Sequence, residues 1–159
     1  MTPAVKQAKK QKIPFELHHY SHDVHASSFG LEAAEKLAVD ARRVFKTLVV
    51  STIINNYEQL AVAIIPVECQ LNLKLMAKAL NTKKVKMAEA KRVESTTGYV
   101  LGGVSPLGQK KLLITVIDRT SELFTTVFVS GGKRGLEIEL SAKNLAQMTK
   151  ATFCQLTSN

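Results

Sequence analysis

Residues 44–54 read VFKTLVVSTII and residues 60–66 read LAVAIIP, with Asn55-Asn56 between them. The first stretch is dense in β-branched residues. Val44, Leu48 and Val50 fall on one face of a pleated strand, and Phe45 and Val49 on the other. A strand apolar on both faces belongs in the middle of a sheet, covered on both sides. Asparagine accepts left-handed backbone at low cost, so the pair predicts a tight turn and a β-hairpin. Lys46 interrupts this pattern. It shares a face with Val44, Leu48 and Val50, where an ammonium is costly to bury. Two readings stay open from the strand alone. The lysine lies at the strand's start and snorkels to water, or it faces a cleft and holds a phosphate or an ester.

Downstream of the hairpin, Asn72 caps a predicted helix whose inner face is Leu73, Met76, Ala77 and Leu80. Residues 85–88 (VKMA) read as a short strand, followed by a helical piece through Val93. YVLGG at 99–103 reads as a strand running into a turn at Ser105-Pro106. LLITVID at 112–118, TVFVS at 126–130 and LEIEL at 136–140 are strands, the last two joined by the turn GGKRG at 131–135. Ser141 caps a last helix over 142–150. Upstream, Thr2-Pro3 is an N-cap followed by proline at the first helical position, which predicts a helix to about Lys12. Ile13, Phe15 and Leu17 alternate with polar residues and predict a strand ending near Tyr20. Ser21 to Ser28 read as a loop, and Leu31, Ala34, Leu37 and Ala38 as a helix. The expected fold is mixed α/β with about seven strands. Recurring hairpins argue for a mostly antiparallel or mixed sheet with helices around it, and against a doubly wound sheet.

The 159 residues fit one domain, and 45% of them are hydrophobic, enough for a core without staples. No apolar run is long enough to span a membrane. The basic start MTPAVKQAKKQKIP has no apolar segment after it, so no secretory signal is expected. Cys69 and Cys154 stand alone, which suggests a reducing, cytoplasmic setting and core roles. The net charge of +9 comes from groups spread along the folded chain: Lys6, Lys9, Lys10 and Lys12; Lys83, Lys84 and Lys86; Lys91 and Arg92; Lys110 and Lys111; Lys133 and Arg134. A surface of this kind attracts polyanions.

Two glycine-bearing loops can bring backbone N–H groups to an anion: Gly102-Gly103-Val104-Ser105-Pro106 and Ser130-Gly131-Gly132-Lys133-Arg134-Gly135. Neither is a Walker A loop or a dinucleotide fingerprint. The four histidines fall between His18 and His25 without an HExxH or a nearby cysteine, so no metal site is expected. No GxSxG elbow is present. Glu137 and Glu139 share a strand face and read first as a solvated pair. From the residues alone, the chain is a basic α/β domain whose Lys46 and two glycine turns leave two readings open, an anion pocket or a strand-start lysine beside ordinary tight turns.

In combination and order, MTPAVK at 1–6, Tyr20-Ser21-His22-Asp23, VFKTLVV at 44–50, TGYVLGGVSPLGQKK at 97–111 and VSGGKRGLEIEL at 129–140 resemble the YbaK family of Cys-tRNA(Pro) deacylases, relatives of the editing domain of bacterial prolyl-tRNA synthetases. The resemblance covers essentially the whole chain. It implies a compact mixed sheet, partly closed like a barrel, that hydrolyses the ester between a wrong amino acid and tRNA(Pro) in trans without metal or cofactor. It places the family's essential lysine on Lys46 and its G-x-x-x-P loop on Gly102 to Pro106. It adds Tyr20, His22, Ser105, Ser130, Gly131, Gly132, Lys133 and Arg134 to the substrate site. Glu137 stands where aspartate is familiar, one methylene longer. The resemblance further implies attack by the substrate's own thiol. Lys46 would then hold the terminal adenosine, and backbone N–H groups of Gly102 and Gly103 the oxyanion. Prolyl-tRNA synthetase is the expected partner. The alternatives are a non-catalytic RNA-binding module of the same fold and a deacylase for another small aminoacyl-tRNA, such as Ala-tRNA(Pro).

Overall fold

The computed structural model describes residues 1–25 and 29–158. The helices are α1 (Pro3–Lys10), α2 (Phe29–Lys36), α3 (Leu73–Ala79), α4 (Ala90–Thr97) and α5 (Ala142–Thr149). The strands are β1 (Glu16–His19), β2 (Phe45–Ile54), β3 (Tyr57–Pro66), β4 (Val85–Met87), β5 (Ile114–Asp118), β6 (Val127–Ser130), β7 (Leu136–Leu140) and β8 (Thr152–Cys154). The expected caps are in place. Thr2, Asn72 and Ser141 accept hydrogen bonds from the backbone N–H groups of Val5, Leu75 and Asn144. Each satisfies a donor that the first helical turn would leave unpaired.

The hairpin is the frame. β2 and β3 pair antiparallel over ten residues each, from Phe45 opposite Pro66 to Ile54 opposite Tyr57. Asn55 and Asn56 take φ of 52° and 69°, the left-handed pair that a two-residue hairpin turn requires. β4 adds antiparallel to β2, while β5 adds parallel to β3 and β8 parallel to β5. The five-stranded sheet therefore runs β4-β2-β3-β5-β8, and a second sheet runs β1-β7-β6, all antiparallel.

Both faces of the hairpin are covered. Phe45, Val49, Val62 and Ile64 face the three-stranded sheet's Val127, Val129, Ile138 and Leu140, with Ala4, Val5 and Ala8 of α1 and Leu145 of α5 closing the layer. On the other face Val50, Ala63 and Ile65 pack with Met76 and Ala77 of α3. Each fully buried Ile contributes about 1.5–3 kcal/mol. A third, smaller cluster seats α2, through Ala33 and Ala34, on Val44, Val67 and Phe128.

Two expectations are corrected, and one strand is new. The strands form two sheets, and no closed barrel is found among the described residues. The sheets meet at one isolated parallel bridge, Val44 to Phe128, so closure stops after a single residue pair. Residues 99–103 are not a strand. Gly98 and Gly102, at φ 82° and 91°, break extended backbone on either side of exposed Val100 and Leu101. β8 had no forecast; it is three residues of mixed exposure whose strand character comes from pairing with β5.

Candidate active site

A cleft of about 250 Å³ opens where the two sheets and α2 converge. The start of β2 supplies Phe45, Lys46, Thr47 and Leu48. The loop after α4 supplies Leu101, Gly102 and Val104. The β6–β7 turn supplies Ser130, Lys133, Arg134 and Glu137, and Tyr20, Phe29 and Gly30 close the remaining side. Of the residues the sequence put forward, Tyr20, Lys46, Gly102, Ser130, Lys133, Arg134 and Glu137 thus meet in one place, from segments far apart in the chain.

Lys46 is half-buried, and none of the ion pairs among the described residues involves it. Burial pulls its ammonium below the ordinary lysine pKa. Thr47 Oγ1 is buried against the cleft without a hydrogen-bond partner among the described residues. Glu137, in the same lining, is only 6% exposed, and burial pushes its carboxyl up to about 8. It lies across the ladder from Ser130. The Ser130 hydroxyl accepts from Gly132 N–H at 3.1 Å, which leaves its own proton free to donate. Burial also raises the Tyr20 phenol.

The turns behave differently from one another. Gly131 N–H closes the β6–β7 turn on the Leu136 carbonyl. Gly102 lines the cleft, whereas buried Gly103 lies behind it. Gly103 N–H donates to the Val100 carbonyl at 3.0 Å and is therefore already spent, and a Cβ there would stand 3.0 Å from Lys133 Cα. Ser105, fully buried, accepts from Leu107 N–H and shapes the loop. Pro106, Gly131 and Gly132 do not line the cleft, and exposed His22 lies beside Gly135. The histidines do not converge: His18 Nε2 lies 2.8 Å from Glu139 Oε1 and near Glu16, and Arg43 holds Glu139's other oxygen at 3.2 Å. Glu139, on the same face of β7, therefore belongs to a separate ion-paired group, and of the two only Glu137 lines the cleft.

Arg134 turns inward more than expected. Its guanidinium lies 3.9 Å from the Phe29 ring centre, donates to the Asp23 carbonyl at 2.7 Å and lies 3.6 Å from Glu32. Glu32 in turn accepts from Asp23 N–H. This network pins α2 over the cleft. Phe29, Gly30, Thr47 and Leu48 were missed by sequence reasoning. Gly30 carried the one available signal, a glycine inside a helix: a Cβ there would meet Val67 Cγ1 at 2.2 Å.

The profile of the aminoacyl-tRNA editing domain matches residues 25–148. An Enterococcus faecalis protein named "Putative Cys-tRNA(Pro)/Cys-tRNA(Cys) deacylase EbsC" is 35% identical over 158 residues, covering 99% of this chain and 93% of that protein. Among solved structures, a hypothetical protein superposes with a TM-score of 0.85 at 25% identity, over 99% of this chain and 100% of that one. One titled as a "putative trans-editing enzyme for prolyl tRNA synthetase" superposes at 0.79 and 19% identity, over 100% and 99%, and speaks for the fold alone. The chain belongs to the YbaK family of aminoacyl-tRNA editing domains.

Proposed function

We propose that this chain is a trans-editing deacylase that releases cysteine from Cys-tRNA(Pro). The observation that carries the reading is the make-up of the cleft. A lysine without an ion-pair partner and a buried carboxyl that burial pushes up to about 8 line the same small space, and no cysteine or histidine is among the described lining residues. The lining suits positioning and charge stabilisation better than an activated protein nucleophile. The name of the Enterococcus relative supports the same substrate class.

In this mechanism the substrate supplies the nucleophile. Its thiol sulfur bonds to its own ester carbonyl carbon, the bond to the ribose oxygen breaks, and the thiol proton ends on that oxygen. The products are free tRNA and a cyclic thiolactone, which water opens to cysteine. Lys46 holds the phosphate or ribose of the terminal adenosine. Gly102 N–H, which has no backbone partner among the described residues, faces the developing oxyanion. Ser130 and Tyr20 orient the ribose or the amino group, and protonated Glu137 donates to an ester or ribose oxygen. Lys133 adds positive potential at the mouth.

A cleft of this size reads an amino acid and one nucleotide. Selection of tRNA(Pro) would therefore come from a complex with prolyl-tRNA synthetase. The test is single-turnover release of labelled cysteine from Cys-tRNA(Pro) by the wild type and by Lys46→Ala. Fast release that the substitution abolishes supports the reading. Release no faster than spontaneous by the wild type sinks it. Equal rates on Ser-tRNA and Cys-tRNA would replace the thiol with an activated water.

A further inference from the structure

A second groove, of about 510 Å³, is lined by the later part of the loop that carries Gly102. Its wall is the outer face of α1, where Lys6 and Lys10 stand one helical turn apart, both exposed. Its far end is Lys150, exposed, with φ of 55° at the C-cap of α5. Gln7, Gln11 and Gln109 also line the groove, and no carboxylate does so among the described residues. None of the ion pairs among those residues uses Lys6, Lys10 or Lys150.

The groove is also firmly built. The Gln7 amide accepts from Gly108 N–H on the loop and donates to the Met148 carbonyl on α5, so one side chain ties three segments together. Gly108 has no room for a side chain, since a Cβ would stand 2.4 Å from the Pro3 carbonyl carbon. Only a few residues separate Gly102, in the cleft, from Pro106 and Gly108, in the groove. At about 3.3–3.6 Å per extended residue, the two sites lie at most some 22 Å apart along this loop.

We propose that this groove carries the sugar-phosphate backbone of the tRNA whose aminoacylated end occupies the cleft. The inference rests on the function proposed above and adds where the polyanion runs. Lysine ammonium groups take the phosphates, and the exposed Gln11 amide takes a ribose hydroxyl or a further phosphate oxygen. Contacts of this type set register and affinity without reading bases. They also give the chain's surplus positive charge a direction, from the cleft mouth over the 106–109 loop and along α1.

The experiment measures binding of uncharged tRNA(Pro) as a function of salt. The variants are Lys6→Gln/Lys10→Gln/Lys150→Gln and, as a control of equal charge, Lys74→Gln/Lys78→Gln/Lys83→Gln on and after α3. Thermal melting of both establishes that they are folded. Each phosphate contact contributes about 0.7–0.9 to the slope of log affinity against log salt. The groove variant should lose about 2–3 from that slope, and the control little. Equal losses in the two variants, or an unchanged slope in the groove variant, overturn the proposal. Because the ligand is uncharged tRNA, this result is independent of catalysis. A wild type that binds tRNA but releases no cysteine refutes the proposed function and leaves the groove standing.

Discussion

The Thr2 hydroxyl donates to the Gly131 carbonyl at 2.5 Å while accepting from Val5 N–H at 3.3 Å. One side chain therefore caps α1 and ties the chain's second residue to the β6–β7 turn, 129 positions away. That turn sets Ser130 and Lys133 into the cleft, and Gly132 packs its would-be Cβ position 3.1 Å from Thr2 Cβ. Thr2→Val keeps the shape and removes both bonds. A lost cap and an orphaned carbonyl cost about 1 kcal/mol each. Urea denaturation should show roughly 2 kcal/mol lost, with single-turnover deacylation lowered as the turn loosens. Thr2→Ser should restore both. A Thr2→Val protein of wild-type stability and rate would show that the bond positions nothing.

Glu137 makes stability depend on pH in a direction opposite to that of most carboxylates. Burial raises its folded pKa to about 8 from an ordinary 4.5. The folded state thus holds a proton that the unfolded chain releases. The contribution to stability is complete below about pH 4.5, declines as pH rises, and is gone above about pH 8. It amounts to a few kcal/mol, at about 1.4 kcal/mol per pKa unit. Urea unfolding of the wild type at pH 5, 7 and 9 should show this loss. Glu137→Gln, neutral at every pH, should show a flatter profile and be the more stable protein at pH 9. Parallel profiles for the two would place the carboxyl in water.

Local pattern singled out Lys46 and the glycine turns of the cleft, while Tyr20, Ser130, Arg134 and Glu137 were put forward only by the family resemblance. Lys46 interrupts a doubly apolar strand, and Gly131-Gly132 sits between strands that already read as a hairpin. The double-faced apolar pattern of β2 and β3 likewise announced burial on both sides. Partners across space were not legible. Nothing local to Phe29 says that Arg134 will stack on it, 105 positions later in the numbering. Nor does the pattern of Val44 distinguish one bridge to Phe128 from a closed barrel seam. Glu137 and Glu139 look equivalent on alternate positions of β7. One meets the cleft and the other meets His18 and Arg43, because different elements cover the two ends of that strand.

Gly30 is the contact on which α2 closes. A Cβ would stand 2.2 Å from Val67 Cγ1 and 2.9 Å from Val67 Cβ, and Val67 is itself buried under the helix. Gly30→Ala should therefore push α2 off the core despite alanine's better helix propensity, at about 1–3 kcal/mol. Gly30→Ala/Val67→Ala removes the obstructing methyls and should recover part of that loss. A double variant no better than the single one would mean that the clash relaxes elsewhere. Hydrogen exchange of the α2 amides separates the cases, since displacement of the helix speeds exchange there first.

Lys46 is the residue for which stability and the proposed activity should part. Burial disfavours its charge, and no carboxylate among the described residues offsets that cost. Its face of β2 continues into the α3 side of the core, where Val50 packs. Lys46→Met keeps the length of the side chain and removes the desolvation penalty. The variant should melt at or above the wild-type temperature. Release of cysteine should fall by two orders of magnitude or more, about 2.7 kcal/mol of transition-state stabilisation. A variant that melts well below the wild type would mean that the ammonium is satisfied in the free protein and holds the strand in place. In that case its loss would impair release through the fold, and the activity of Lys46→Met would say nothing about substrate.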